Sequence, residues 1–227
     1  MPSRTATVLV TGCDTGLGVE FARQYAGEGF RVLATCLDPG RAAAARAIRG
    51  DVRVLKLDVT DHGAIDALAQ KLRGEAVDIL VSNAGIGRPH PPFGETDYAS
   101  WRRILEVNLI GPMRLAESFV EHVAQGELKV MAFVSSRMGS IALNLTGGSY
   151  AYRSSKAGLN AVVRSLAVDL APRGICCLAL HPGWAKTEPG ARVEVDASVA
   201  GMRGVIARAS RHHTGSFLTY ADQPLPW

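Results

Sequence analysis

Tyr152 and Lys156 stand four residues apart in the run Tyr152-Arg153-Ser154-Ser155-Lys156. On a helix that spacing puts both side chains on one face, so a phenol and an ammonium can enter one pocket. A free phenol titrates at about pH 10 and is a poor base near neutrality. A neighbouring positive charge favours the phenolate and lowers that value. Such a pair can give a proton to a carbonyl oxygen or take one from an alcohol. Tyr150 has Ser154 four residues on, which supplies no charge, so the spacing selects Tyr152.

A second constellation is Thr11-Gly12-Cys13-Asp14-Thr15-Gly16-Leu17-Gly18. Gly12 permits a tight turn, Gly16 lets a pyrophosphate approach the backbone, and Gly18 lets a helix close on the preceding strand. A helix opening there presents free N–H groups and the positive end of its dipole to phosphates. A glycine-rich turn carries weight only with a strand before it and a helix after it.

The surrounding pattern supplies both. Short runs rich in Val, Ile and Leu predict strands at 7–11, 31–36, 52–57, 77–82, 129–135, 175–181 and 216–220. Their weak polar alternation suits strands covered on both faces. Helices are expected at 17–28, 40–48, 62–72, 98–123, 151–171 and 195–209. Alternation of this kind predicts an α/β fold: one Rossmann-like doubly wound parallel sheet of about seven strands with helices on both faces. The expectation is a single domain over 1–227, with substrate-side loops at 86–97 and 184–195 bordering the crevice at the strand ends.

Composition narrows the classes. Of 227 residues, 47% are hydrophobic and 20% charged, which suits a globular chain and not a disordered one. The net charge of +4 is spread without a basic run, so no nucleic-acid partner is expected. No apolar stretch approaches the roughly 20 residues of a membrane span, and no signal-peptide pattern opens the chain. No membrane partner and a cytoplasmic location are the expectations. The four cysteines lack metal or disulfide spacing, and His212-His213 has no ligand partners, so no metal is expected.

The TGxxxGxG spacing, with the motifs that follow it, resembles the short-chain dehydrogenase/reductase family over nearly the whole chain. The resemblance gives Asp58-Val59 the adenine contact, and makes Asn83-Ala84-Gly85 the turn that supports the sheet and lines the cofactor site. It places Pro182 and Gly183 beside the cofactor and Thr187 on the nicotinamide carboxamide. It gives Ser136 the role of polarising the substrate oxygen, with Ser140 as runner-up because the interval to Tyr152 is long. It makes Asn108 the anchor of a water that links Lys156 to solvent. The catalytic set is then Asn108, Ser136, Tyr152 and Lys156, and the implied reaction is hydride transfer between NAD or NADP and a carbonyl or secondary alcohol.

NADP-preferring relatives place a basic residue in the glycine loop or after the second strand. Here Asp14-Thr15 and Leu37-Asp38 occupy those places, and Asp38 can accept from a ribose 2′-hydroxyl. NAD is therefore the expected cofactor, with NADP the alternative. The segments 135–140 and 147–160 and the run Leu225-Pro226-Trp227 resemble the subgroup of C-factor proteins and sniffer-type carbonyl reductases. That resemblance also admits a dinucleotide-binding signalling or sensor protein with little turnover, and it implies a homodimer or homotetramer.

Overall fold

The computed structural model describes residues 4–87, 91–185 and 193–227. Seven strands form one sheet: β1 (Thr7–Val10), β2 (Arg31–Cys36), β3 (Val52–Lys56), β4 (Ile79–Ser82), β5 (Val130–Val134), β6 (Cys176–His181) and β7 (Ser216–Thr219). Their order is β3-β2-β1-β4-β5-β6-β7, and each neighbouring pair is parallel. This is the expected Rossmann-like doubly wound arrangement. β1, β4 and β5 are buried along their whole length, which is why they read as unbroken apolar runs.

The helices are α1 (Gly16–Gly27), α2 (Ala43–Arg46), α3 (His62–Lys71), α4 (Tyr98–Leu105), α5 (Gly111–Ala124), α6 (Tyr150–Asp169) and α7 (Val195–Ala207). Two apolar layers result. One joins Phe21 and Tyr25 of α1 to Val199 and Met202 of α7 over one sheet face. The other joins Leu115 and Phe119 of α5 to Leu159 and Val163 of α6 over the opposite face. Asp61 caps α3 by accepting from Ala64 N, and Asp97 caps α4 by accepting from Ala99 N and Ser100 N.

Two helices depart from expectation. The segment expected as 40–48 shortens to the single turn of α2, whose N-terminus has no side-chain cap. The expected helix 98–123 is interrupted by a π turn, Glu106–Ile110, between α4 and α5. Its wider i→i+5 bonding bulges the chain at Asn108, and such bulges gather at functional sites. No helix among the described residues is long and apolar enough to cross a membrane.

Strand order reverses between β1 and β4, so the crevice outside their C-terminal ends is the switch point where ligands of such sheets bind.

Candidate active site

The glycine turn sits at that switch point. The Thr11 hydroxyl accepts from Asn83 N and Ala84 N, both at 3.0 Å, and the Asn83 amide donates to Thr11 O at 2.9 Å and Gly12 O at 3.3 Å. These bonds latch the turn after β1 to the end of β4. Gly12 has φ +72°, and a Cβ there would stand 2.8 Å from Ala84 Cα. A Cβ on Gly18 would stand 2.1 Å from Gly12 O, so α1 reaches the turn only because both residues are glycine. No side chain caps the N-terminus of α1 at Thr15, which leaves its first N–H groups to a ligand. A bare, positively polarised backbone cradle of this kind suits a dinucleotide pyrophosphate.

A cavity of about 1060 Å³ runs across the strand ends. Gly12, Asp14, Thr15, Gly16 and Leu17 line its middle with Asn83, Ala84 and Gly85. Leu37, Asp58 and Val59 line it beyond β2 and β3; Ser136, Tyr152, Lys156, Pro182 and Gly183 line it on the side of β5 and β6. The structure thus brings together most residues that the sequence singled out. Gly18 lies beneath the turn and supports it. Asn108 is buried behind the wall. Asp38 is not part of the lining, and its carboxylate accepts from Gly40 N at 2.9 Å. Thr187 lies outside the described residues.

On the β5 side, Lys156 is buried, and its Nζ donates to Val134 O at 2.9 Å. The same atom stands 5.9 Å from the Tyr152 ring centroid, so the ammonium and the phenol share one space. Burial lowers Lys156 to about 8. Asn108 accepts from Ile86 N at 2.9 Å and donates to Ile86 O at 2.9 Å and Ser155 Oγ at 3.1 Å. The π turn therefore pins the segment after β4 and a hydroxyl of α6 at once. A Cβ on Gly85 would lie 3.4 Å from Asn108 Oδ1 and 3.7 Å from Lys156 Nζ, so glycine there keeps the space between the two polar groups clear.

Ser136 Oγ accepts from Met138 N at 3.2 Å and keeps its proton for another acceptor. Ser140 donates to Trp227 O at 3.1 Å and accepts from Leu143 N at 3.1 Å. It borders a separate bay of about 290 Å³ with Trp101, Ile141 and Tyr150. Ser136 lines the cavity that Tyr152 and Lys156 share, and Ser140 does not. Burial, then the charge of Arg137, lowers His181 to about 4, so that residue is a neutral imidazole in the wall.

At the other end the Asp14 carboxylate receives the Leu37 N–H, at 3.0 Å and 3.3 Å to its two oxygens. Asp58 accepts from Thr60 N at 2.9 Å and Thr60 Oγ1 at 2.8 Å. Burial pushes its carboxyl upward, but these bonds and the Arg103 charge outweigh that and hold it below its usual value.

Sequence reasoning passed over Arg103, Arg137, Arg153 and His181, all of which line the cavity. Arg137 directly follows Ser136 and Arg153 directly follows Tyr152, so the flanks of the predicted hydroxyls held that signal. Met138 and Trp184 add apolar surface to the lining, whereas Leu145 and Phe93 are 89% and 90% exposed and do not line the cavity.

A family model described as short chain dehydrogenase matches residues 6–197. C-signal of Myxococcus xanthus is 42% identical over 154 residues, covering 66% of this chain and 93% of that protein. Among solved structures, the carbonyl reductase Sniffer of D. melanogaster superposes with a TM-score of 0.91 at 28% identity, over 99% of this chain and 100% of that one. An NADPH-bound carbonyl reductase from chicken fatty liver superposes with a TM-score of 0.88 at 30% identity, over 99% and 100% of the two chains.

Proposed function

The chain belongs to the short-chain dehydrogenase family, and from that premise we propose that it interconverts a carbonyl compound and its alcohol with a nicotinamide dinucleotide, Tyr152 acting as general acid/base. The observation that carries the reading is the Tyr152–Lys156 pair in one cavity with the glycine cradle. A bound nicotinamide dinucleotide would supply the hydride. Gly12, Thr15, Gly16 and Leu17 would hold its pyrophosphate, Val59, Ala84 and Gly85 would flank it along the cavity, and Pro182 and Gly183 would stand beside its nicotinamide.

In the reducing direction the Tyr152 hydroxyl hands its proton to the substrate oxygen as that oxygen gains negative charge. The Ser136 hydroxyl donates a hydrogen bond to the same oxygen and stabilises the charge as it develops. The Lys156 ammonium favours the phenolate left on Tyr152. Asn108 fixes the wall beside Lys156, and a water held between these two groups would restore the proton from solvent. In the oxidising direction Tyr152 takes the alcohol proton and the same steps run backwards. These residues form one dinucleotide-binding unit over 1–227.

For the cofactor we propose NAD. Asp14 puts a carboxylate into the lining, where it would repel a 2′-phosphate, and neither Thr15 nor Leu37 offers a cation. The bound NADPH of the chicken relative belongs to a protein only 30% identical, so the choice rests on this chain's own residues.

Tyr152→Phe tests the reading. Turnover of a panel of aldehydes, ketones and secondary alcohols, followed at the nicotinamide absorbance, is expected to fall at least 100-fold. Dinucleotide binding, measured by calorimetry, is expected to stay within threefold. A variant that keeps wild-type turnover removes Tyr152 from the chemistry. A dinucleotide-binding signalling role without turnover needs no acid/base pair, and a wild-type protein that binds the dinucleotide but turns over nothing in the panel would favour it.

A further inference from the structure

Two arginines stand at the substrate end of the cavity with no ion-paired carboxylate among the described residues. Arg137 follows Ser136 and Arg153 follows Tyr152; all four residues line the cavity, and Arg153 also borders the smaller bay. The carboxylates in the lining, Asp14 and Asp58, lie toward β1 and β3, on the far side of β4 in the sheet order. Arg137 is exposed, and while its backbone carbonyl accepts from Ser140 N at 3.0 Å, its guanidinium has no hydrogen bond or ion pair among the described residues. Arg153 is half-buried; its Nη2 donates to the neutral Thr146 hydroxyl at 3.0 Å, and its Nε is covered without a hydrogen-bond partner among the described residues. Met138 and Trp184 add apolar surface beside them.

A covered, charged N–H without an acceptor is an expensive arrangement. Two guanidinium groups in a concave wall also concentrate positive potential there and raise the local concentration of anions. Their planar forks match the oxygens of a carboxylate or a phosphate better than an ammonium does. Lys156 does not serve this purpose, because its charge is turned to Val134 O and Tyr152.

We infer that the substrate is a carbonyl compound, or the corresponding alcohol, that carries a second, anionic group, a carboxylate or a phosphate, received by Arg137 and Arg153. The inference rests on the oxidoreductase reading above for the reacting oxygen, but the anion site stands on its own residues.

Two matched pairs test it in the cofactor-loaded protein: 4-formylbenzoate against its methyl ester, and dihydroxyacetone phosphate against dihydroxyacetone. In at least one pair the anionic member is expected to have a kcat/KM at least tenfold above the neutral one, and the pair that responds separates carboxylate from phosphate. Arg137→Gln and Arg153→Gln are each expected to shrink that ratio at least threefold, and the double variant to bring it near one. A ratio at or below one in both pairs, or a ratio that the double variant leaves unchanged, overturns the inference. Calorimetric titration of the same loaded protein with benzoate and with inorganic phosphate reads the anion site without turnover. If none of the four compounds reacts, the oxidoreductase reading is decided by the wider panel above; tenfold weaker anion binding in the double variant then upholds the arginine pair, and equal binding overturns it. Arg137 is exposed, so its single variant keeps the test independent of folding.

Discussion

Lys156 carries an ammonium group where little water reaches it: the residue is 5% exposed, and burial brings it down to about 8. In the unfolded chain the same group titrates at about 10.4. Below pH 8 both states hold the proton, and the folded state bears the whole desolvation penalty. Between those two values the unfolded state binds more protons than the folded one, so stability rises with pH, by up to about 3 kcal/mol across the window. Lys156→Met is therefore expected to be more stable than the wild type at pH 7, with the gap closing between pH 8 and pH 10. Urea unfolding of both proteins at pH 7 and pH 10 checks it, and a gap independent of pH would show that the charge is already relieved in the native state. A destabilising charge kept at a site is the mark of a residue retained for chemistry. Leu37 gives a second test at this scale. It is 55% exposed, lines the cavity and has its backbone N–H held by Asp14. Leu37→Arg adds the cation that a 2′-phosphate needs, and is expected to raise the NADPH-to-NADH ratio of kcat/KM at least tenfold; a ratio that does not move would place the ribose elsewhere.

The elements that carry these residues differ in how visible they were. All seven strands were legible, most directly β1, β4 and β5, which are buried along their whole length and whose apolar pattern needs no partner to be read. The turn between β1 and α1 was legible from its glycines. Its sensitivity follows from the 2.1 Å between a Gly18 Cβ and Gly12 O, a backbone atom that cannot step aside. Gly18→Ala is expected to push α1 off the turn, weaken dinucleotide binding at least tenfold by calorimetry, and cost about 2 kcal/mol in urea unfolding. Unchanged binding would mean that the turn does not hold the pyrophosphate. The π turn was not legible. Asn108 reads as an unfavourable residue inside one long helix, and its partners, Ile86 and Ser155, are 22 and 47 positions away. A helix period cannot report bonds of that range. Asp38 has the expected type near the expected place, but it stands outside the cavity lining and its carboxylate accepts from Gly40 N, a local bond that a sequence period does not report.

At the scale of the molecule, the sheet edge that holds the cavity depends on an opposite edge that holds the strands in register. Asp78, at the start of β4, is fully buried and accepts from Thr7 N, Glu127 N and Arg4 Nη2, each at 2.7 Å. One carboxylate thus ties the beginnings of β1, β4 and β5, far along the strands from Asn83 and Ser136. Burial pushes its carboxyl upward, while the bonds from Arg4, Thr7 and Glu127 push it further down, and the net value lies below the ordinary one. A carboxylate depressed on folding stabilises the native state above its unfolded value of about 3.9, and that contribution is lost as pH falls through the folded value. Asp78→Ala leaves the buried Thr7 N–H and the partly buried Glu127 N–H without their acceptor and is expected to cost roughly 3 kcal/mol in urea unfolding at pH 7. The penalty is expected to shrink as the pH is taken below 4, where the wild type loses the same interaction. Since Asp78 touches nothing in the cavity, the variant that remains folded is expected to keep its ratio of NADH to NADPH turnover. A shift in that ratio would show that the two edges of the sheet are mechanically coupled, and that the switch point is held open by strand register as well as by its own glycines.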